Sequence, residues 1–91
     1  MKFERTAEIL KTIGHTKRLQ IVILLLYRTE VKSGAIAKAV GMKQSLNSQQ
    51  ITILRLSGII KARRVGNEVY YSLVESMRIL IQNIVTFQEM Y

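Results

Sequence analysis

The chain has 91 residues, of which 14 are Lys or Arg, 6 are Asp or Glu and none is Cys. A chain of this length forms one small domain, and the lack of cysteine excludes disulfides, zinc ribbons and cysteine nucleophiles. The formal net charge of +8 favours an anionic partner, either a nucleic acid or a membrane surface. No acidic residue lies between Glu30 and Glu68, so the positive charge is concentrated in the middle of the sequence.

Neither end of the chain nor its apolar runs suggest a membrane protein. The first residues, MKFERTAEIL, are too polar for a secretory signal. The longest apolar run, residues 21–27, is too short to span a bilayer. The sequence therefore predicts a cytoplasmic protein that has no membrane partner.

Two helices are predicted before residue 30. Residues 3–13 carry apolar side chains at helical spacing, and Gly14 ends this helix. Residues 17–28 follow, with Thr16 as the predicted N-cap. This second helix is apolar almost all round, which is typical of a central, buried helix. Its β-branched residues would also suit a buried strand, but its length and the lack of turn signals favour a helix.

The next two helices form a recognisable pair. A short helix over residues 34–40, capped by Ser33 and ended by Gly41, precedes a longer helix that starts near Lys43 and ends at Gly58. Two helices joined by a turn of this length containing Gly form the helix-turn-helix pattern.

The second helix of this pair is rich in amides and hydroxyls, although Glu and Lys are better helix formers on a merely solvated surface. Such side chains, together with arginine, can address base edges and phosphates in a major groove of DNA. The predicted DNA contacts from this segment are Lys43, Gln44, Ser45, Asn47, Ser48, Gln49, Gln50, Thr52 and Arg55. A solvated helix surface is the alternative for each residue taken singly.

A hairpin and a last helix complete the chain. Residues 59–64 and 68–73 are β-rich runs around a Gly-Asn turn signal. The basic tip adds Arg63, Arg64 and Asn67 as predicted contacts to the DNA backbone or minor groove. Tyr70 and Tyr71 point to opposite faces of a strand, so one of them is predicted in the core.

Residues 74–91 form the last predicted helix. The order α-α-α-α-β-β-α describes a mainly α fold with a small β-hairpin, a winged helix-turn-helix with an extra helix at each end.

With this order of elements, three segments resemble the ArsR/SmtB family of small bacterial winged-helix repressors. They are IGHTKRLQIVILLL, IAKAVGMKQSLNSQQITILRLSGIIKARR and VGNEVYYSL, and the resemblance covers about residues 9–80. It implies a transcriptional regulator, a repressor, that binds specific sequences of double-stranded DNA. Within the family pattern, Asn47 replaces a usual small apolar residue and Gln50 replaces the usual histidine.

The resemblance also bears on sensing. Metal-sensing relatives carry Cys in the helix before the reading helix, which is the second helix of the helix-turn-helix, or His with acidic residues in the last helix. Residues 31–40 and 74–91 contain neither Cys nor His. We therefore expect a regulator that is not metal-responsive and holds no cofactor.

The terminal helices, residues 3–13 and 74–90, carry more apolar surface than one small domain needs. In the resembled family these helices pair across a two-fold axis, so we expect the single domain 1–91 to form a homodimer. The alternative is that both helices only cover the domain's own core. The predicted dimer contacts are Phe3, Ala7, Leu10, Met77, Leu80, Ile81, Ile84 and Val85. A symmetric dimer would bind an inverted-repeat operator, with its reading helices about 34–36 Å apart.

The main alternative is a winged-helix protein-interaction module without DNA binding. An enzyme is not expected, because the chain has one histidine, no cysteine and no glycine-rich phosphate loop. The operator, the target genes, the inducer and the direction of regulation are open at this point.

Overall fold

The computed structural model describes residues 2–91; Met1, which belongs to the predicted domain 1–91, lies outside the described residues. A 3-10 turn at Glu75–Met77 precedes the last of the five helices in these residues. The helices and strands run in the order α1 Glu4–Ile13, α2 Thr16–Tyr27, β1 Val31–Lys32, α3 Ser33–Val40, α4 Gln44–Leu56, β2 Ile60–Val65, β3 Glu68–Leu73 and α5 Arg78–Glu89.

Helix α2 is the centre of the core. It packs against α1, α3, α4, α5 and strand β3, and Ile21, Val22 and Leu25 have no exposed surface. The prediction of a central, buried helix is confirmed, and the strand alternative is wrong. Thr16 is the first helical residue and His15 takes the N-cap position without a side-chain bond, so the predicted Thr16 cap is also wrong.

The turn between α3 and α4 depends on a glycine. Gly41 has a φ of +66°, in the left-handed region that favours glycine. The N–H of Met42 donates to the carbonyl oxygen of Ala37 at 2.9 Å. This closes α3 and turns the chain into α4, as predicted. Ser33 is the first residue of α3 rather than its cap, and Lys32 holds the N-cap position without a side-chain bond.

The three strands form an antiparallel sheet in the order β1-β3-β2. Val65 pairs with Glu68, which leaves Gly66 and Asn67 as a two-residue hairpin loop. Gly66 has a φ of +60° and Asn67 does not have a positive φ, as expected for a turn with glycine at its first position.

Strand β1 was not predicted. Val31 pairs with Tyr71 and Lys32 with Tyr70, but two residues are too few to show the alternation that identifies a strand. Tyr71 packs against the core, and its neighbour Tyr70 lies on the other face of β3, so the prediction that one tyrosine of the pair is core is confirmed.

Helix α5 contributes to the core through the side that the sequence assigned to the dimer. Ile81 is 0% exposed and Val85 is 7% exposed within the single chain. Their prediction as dimer contacts is wrong, because both side chains already pack in the chain's own core. Met77, Leu80 and Ile84 are half-buried against that core, whereas Phe3, Ala7 and Leu10 at the other end of the chain are exposed.

Within residues 2–91, no helix combines the length and apolar character needed to cross a membrane.

Candidate nucleic-acid interface

Helix α4 has one buried side and one exposed side. Asn47, Gln50, Ile51 and Leu54 are buried, at the three- and four-residue spacing of one helical face. The residues of the predicted DNA-binding set that this segment leaves exposed are Lys43, Gln44, Ser45, Ser48, Gln49, Thr52 and Arg55.

Asn47 does not face solvent, contrary to the prediction. It is fully buried, and its Nδ2 donates to the carbonyl oxygen of Ser33 at 3.1 Å. Its Oδ1 is buried without a hydrogen-bond partner. The residue therefore ties α4 to the start of α3 and cannot reach a base edge.

Gln50 is the second correction. It is 7% exposed, and its Oε1 accepts a hydrogen bond from Arg18 Nη1 at 2.8 Å. The Nε of Arg18 donates to the carbonyl oxygen of Thr12 at 2.6 Å. Arg18 thus bonds two neutral oxygens and links α4 to the end of α1.

A second arginine holds the other end of α4. Arg5 Nη2 donates to the carbonyl oxygen of Ser57 at 2.8 Å. That oxygen belongs to the C-cap residue of α4, where carbonyl groups lack partners within the helix. No local pattern indicates the roles of Arg5 and Arg18, because their bonds to Ser57 and Gln50 join residues that are distant in the chain.

On the wing, Arg63 is already paired. Its Nε and Nη2 donate to the two carboxylate oxygens of Glu30 at 2.9 and 2.6 Å, and its guanidinium lies 5.3 Å from the centre of the Tyr70 ring. The hydrogen bond from Arg63 holds the pKa of Glu30 below its ordinary value of 4.5. Arg63 keeps an exposed side chain in this ion pair, so its predicted contact with DNA stays a prediction in which a phosphate competes with the carboxylate of Glu30.

The remaining acid next to the basic segment is also paired. Lys32 Nζ lies 3.1 Å from Glu68 Oε1, and the Tyr70 hydroxyl donates to Glu68 Oε2 at 3.0 Å. The hydrogen bond from Lys32 lowers the pKa of Glu68. Of the seven bases between the two acids, two are thus paired, and the five others are exposed: Lys38, Lys43, Arg55, Lys61 and Arg64.

Among residues 2–91 the structure places no group of three or more His, Cys, Asp or Glu where it could hold a metal ion. His15 is exposed and its side chain makes no capping bond to α2.

The second helix of the helix-turn-helix thus exposes amides, hydroxyls and an arginine, and beside it stands a hairpin whose Arg64 and Asn67 are exposed. A helix presented in this way, with a basic wing, is the arrangement of winged helix-turn-helix DNA-binding proteins. This is the class of protein that the fold and the site define.

Comparison with known proteins identifies the family. No protein-family model matches the chain. An HTH-type transcriptional regulator of Mycobacterium tuberculosis is 37% identical over 71 residues, which is 78% of this chain and 62% of that protein. The chain spans about three fifths of the length of the first curated relatives it matches, at 62% and 60%.

Two solved structures share the whole fold. The homodimeric winged helix-turn-helix DNA-binding domain of a possible ArsR-family regulator from Mycobacterium bovis has a TM-score of 0.87 and 30% identity, covering 96% of this chain and 81% of that one. The transcriptional repressor BigR of Xylella fastidiosa has a TM-score of 0.81 and 32% identity, covering 90% and 84% of the two chains. The chain belongs to the ArsR/SmtB family of winged helix-turn-helix transcriptional regulators, and these relatives are regulators, not enzymes.

Proposed function

We propose that this protein is a homodimeric repressor that acts in the cytoplasm by binding specific sequences of double-stranded DNA and does not respond to metals. The observation that carries the proposal is the exposed side of α4, which is polar and basic and lies in a segment free of acidic residues. Relatives that are repressors, such as BigR of Xylella fastidiosa, support the direction of regulation.

The structure supports different DNA contacts for different exposed residues of α4 and the wing. Ser48, Gln49 and Thr52 are exposed along the helix, and their hydroxyl and amide groups suit base edges. Gln44 and Ser45 lie at its N-terminal end, where backbone N–H groups favour a phosphate. The remaining phosphate or minor-groove contacts are Lys43, Arg55, Arg64 and Asn67.

The dimer surface is proposed on the exposed parts of the terminal helices. Phe3, which precedes α1, is exposed together with Ala7 and Leu10 on that helix. On α5 Phe87 is exposed, and its ring centre lies 4.8 Å from that of Tyr91, which follows the helix. Met77, Leu80 and Ile84 lie half-buried beside them. Exposed apolar surface of this kind is suited to an interface between copies, and the relative from Mycobacterium bovis is homodimeric. The resulting symmetry favours an inverted-repeat operator.

Titration of a duplex DNA at several salt concentrations tests the proposal. Each phosphate neutralised contributes a slope of about −0.9 in a plot of log affinity against log salt. The five exposed bases of the central segment would together give up to about −4.5 per protomer. Arg55→Ala should make the slope less steep by about one phosphate, with Arg28→Ala, an exposed arginine after α2 and outside the proposed contacts, as the control. A flat response would instead favour a protein-interaction module.

The absence of a metal response is tested on the same complex. The proposal is supported by the finding that residues 2–91 bring no three His, Cys, Asp or Glu side chains together where they could hold a metal ion. Addition of Zn²⁺, Ni²⁺ or Cu²⁺ at micromolar concentrations should leave the affinity for DNA unchanged. Release of DNA by any of these ions would overturn this part of the proposal.

A further inference from the structure

The exposed side of α4 carries apolar side chains that phosphate contacts do not use. Leu46 is 41% exposed and Ile53 is 39% exposed. They stand seven residues apart, with Gln49 three residues after the first and four before the second. Side chains at these spacings lie along one edge of a helix. This edge, Leu46–Gln49–Ile53, is called the apolar row below.

The apolar row is separate from the core. The core side of α4 is formed by Ile51 and Leu54, which are buried. Leu46 and Ile53 lie at the border of the exposed side instead, and Ile53 lines a shallow surface groove with Ser48, Gln49 and Thr52. A partner that covers the apolar row must therefore also form hydrogen bonds with the hydroxyl and amide groups beside it.

Duplex DNA suits this mixture better than an apolar protein surface. The row lies within residues 31–67, which contain no acidic side chain, so a polyanion meets no repulsion there. In the major groove, the 5-methyl group of thymine is an apolar surface beside hydrogen-bonding edges, and it is contacted by apolar side chains.

We propose that Leu46 and Ile53 recognise thymine methyl groups on either side of a base pair that Gln49 reads. This inference rests on the proposed DNA binding and names its specificity. Glutamine can pair with the N6 and N7 of adenine, so the row as a whole selects A·T pairs with thymine placed under the two apolar side chains.

The geometry limits where these thymines stand. Seven residues of helix rise about 10.5 Å, at about 1.5 Å per residue. Base pairs follow one another at about 3.4 Å along the duplex axis, and the path along the groove is longer. The two methyl-sensitive positions in a half-site are therefore no more than about three base pairs apart.

The test of this proposal removes only the 5-methyl group of thymine from the DNA. Duplexes bound by the full chain are first selected from a random pool, and each thymine of the selected half-site is then replaced by deoxyuridine. The wild-type protein should lose about fourfold in affinity at each of two positions, the effect of one buried methyl-sized group. Leu46→Ala should abolish the thymine–uracil difference at one position and Ile53→Ala at the other.

Tyr27→Ala provides the control, because Tyr27 is an exposed residue at the end of α2, outside the proposed DNA and dimer surfaces; it should retain both differences. If the chain selects a sequence but every uracil is tolerated, the row does not read methyl groups, although the proposed function stands. That outcome would point to a protein partner on the row. If uracil sensitivity persists in Leu46→Ala and Ile53→Ala, other side chains read the methyls. If no sequence is selected, the proposed function itself fails.

Discussion

Residues 47 to 50 show how closely structural and recognition roles alternate along α4. Asn47 and Gln50 are buried and hold α4 to α3 and α1, while Ser48 and Gln49 between them are exposed. The signal for this division was present in the sequence, because Asn47 stands four residues before Ile51 and Gln50 four before Leu54. The polar residue type pointed to solvent, whereas the spacing pointed to the core.

The two adjacent glutamines should separate stability from recognition. Gln50→Ala removes the acceptor of Arg18, and a hydrogen bond to a charged group contributes about 1.5–3 kcal/mol; the free energy of unfolding should fall by about that amount. Gln49→Ala is the matched control on the exposed side, and its effect should stay within about 0.5 kcal/mol. Urea unfolding measures both, and DNA selection should change for Gln49→Ala. Equal losses of stability would contradict these roles.

The Glu30–Arg63 pair predicts a pH dependence in the wing. The pKa of Glu30 is lowered in the folded state, chiefly by the hydrogen bond from Arg63. The contribution of the pair to the free energy of unfolding is therefore complete above the ordinary pKa of 4.5. That contribution is lost as the pH falls from 4.5 through the lowered pKa of the folded state.

An NMR titration of the Glu30 carboxyl tests this prediction. In Arg63→Ala the midpoint should rise towards 4.5. Glu68 serves as the internal control, since the main cause of its lowered pKa is the hydrogen bond from Lys32 and not from Arg63. A midpoint of Glu30 that is the same in both proteins would show that Arg63 is not the cause.

At the scale of elements, the boundaries set by glycine were predictable and the packing contacts were not. Gly41 and Gly58 end α3 and α4 with positive φ values, and Gly66 opens the hairpin loop as its sequence indicates. The strand β1 escaped prediction, because Val31 and Lys32 become a strand only through their pairing with β3. Pairing of this kind is a tertiary event with no local signal.

Three glycine-to-alanine substitutions should separate backbone strain from helix propensity. Gly41→Ala should destabilise the fold by about 1–2 kcal/mol through its left-handed φ. Gly58→Ala should cost more, because its Cβ would also come within 2.9 Å of Arg5 Nη2 and displace it from Ser57. Gly34 has no neighbour within 4 Å of an added Cβ and lies in α3, so alanine there should stabilise by about 0.5–1 kcal/mol.

Thermal and urea unfolding measure all three variants. The order of stability should be Gly34→Ala above the wild type, and Gly58→Ala below Gly41→Ala. If Gly41→Ala and Gly58→Ala were equally stable, the Arg5 contact would contribute nothing to holding the end of α4.

For the whole molecule, the order of elements and the position of positive charge followed from the sequence, since both depend on local pattern and on counting. The side of α5 that faces the core did not. Met77, Leu80, Ile81, Ile84 and Val85 all lie at helical spacing, and only packing against α2 divides them into buried and half-buried sets.

This division predicts two kinds of interface variant. Leu10 is 47% exposed, so Leu10→Glu should abolish the proposed dimer and leave the monomer folded. Ile81→Ala should lower the free energy of unfolding by about 2–5 kcal/mol, because it opens a cavity in the core. Sedimentation velocity measures the assembly and circular dichroism the fold. A Leu10→Glu protein that still sediments as a dimer would place the interface elsewhere.

Strand β1 ends at Lys32 and α3 begins at Ser33, with no residue between them. The hairpin, bonded to β1 through Tyr70 and Tyr71, therefore cannot swing independently of the helix pair. The span from the hairpin tip to the exposed side of α4 is therefore set by the fold. A duplex whose grooves do not match this span has to bend or twist to fit it. The protein should therefore bind stiff and flexible DNA sequences with different affinities, even when the bases in contact are the same.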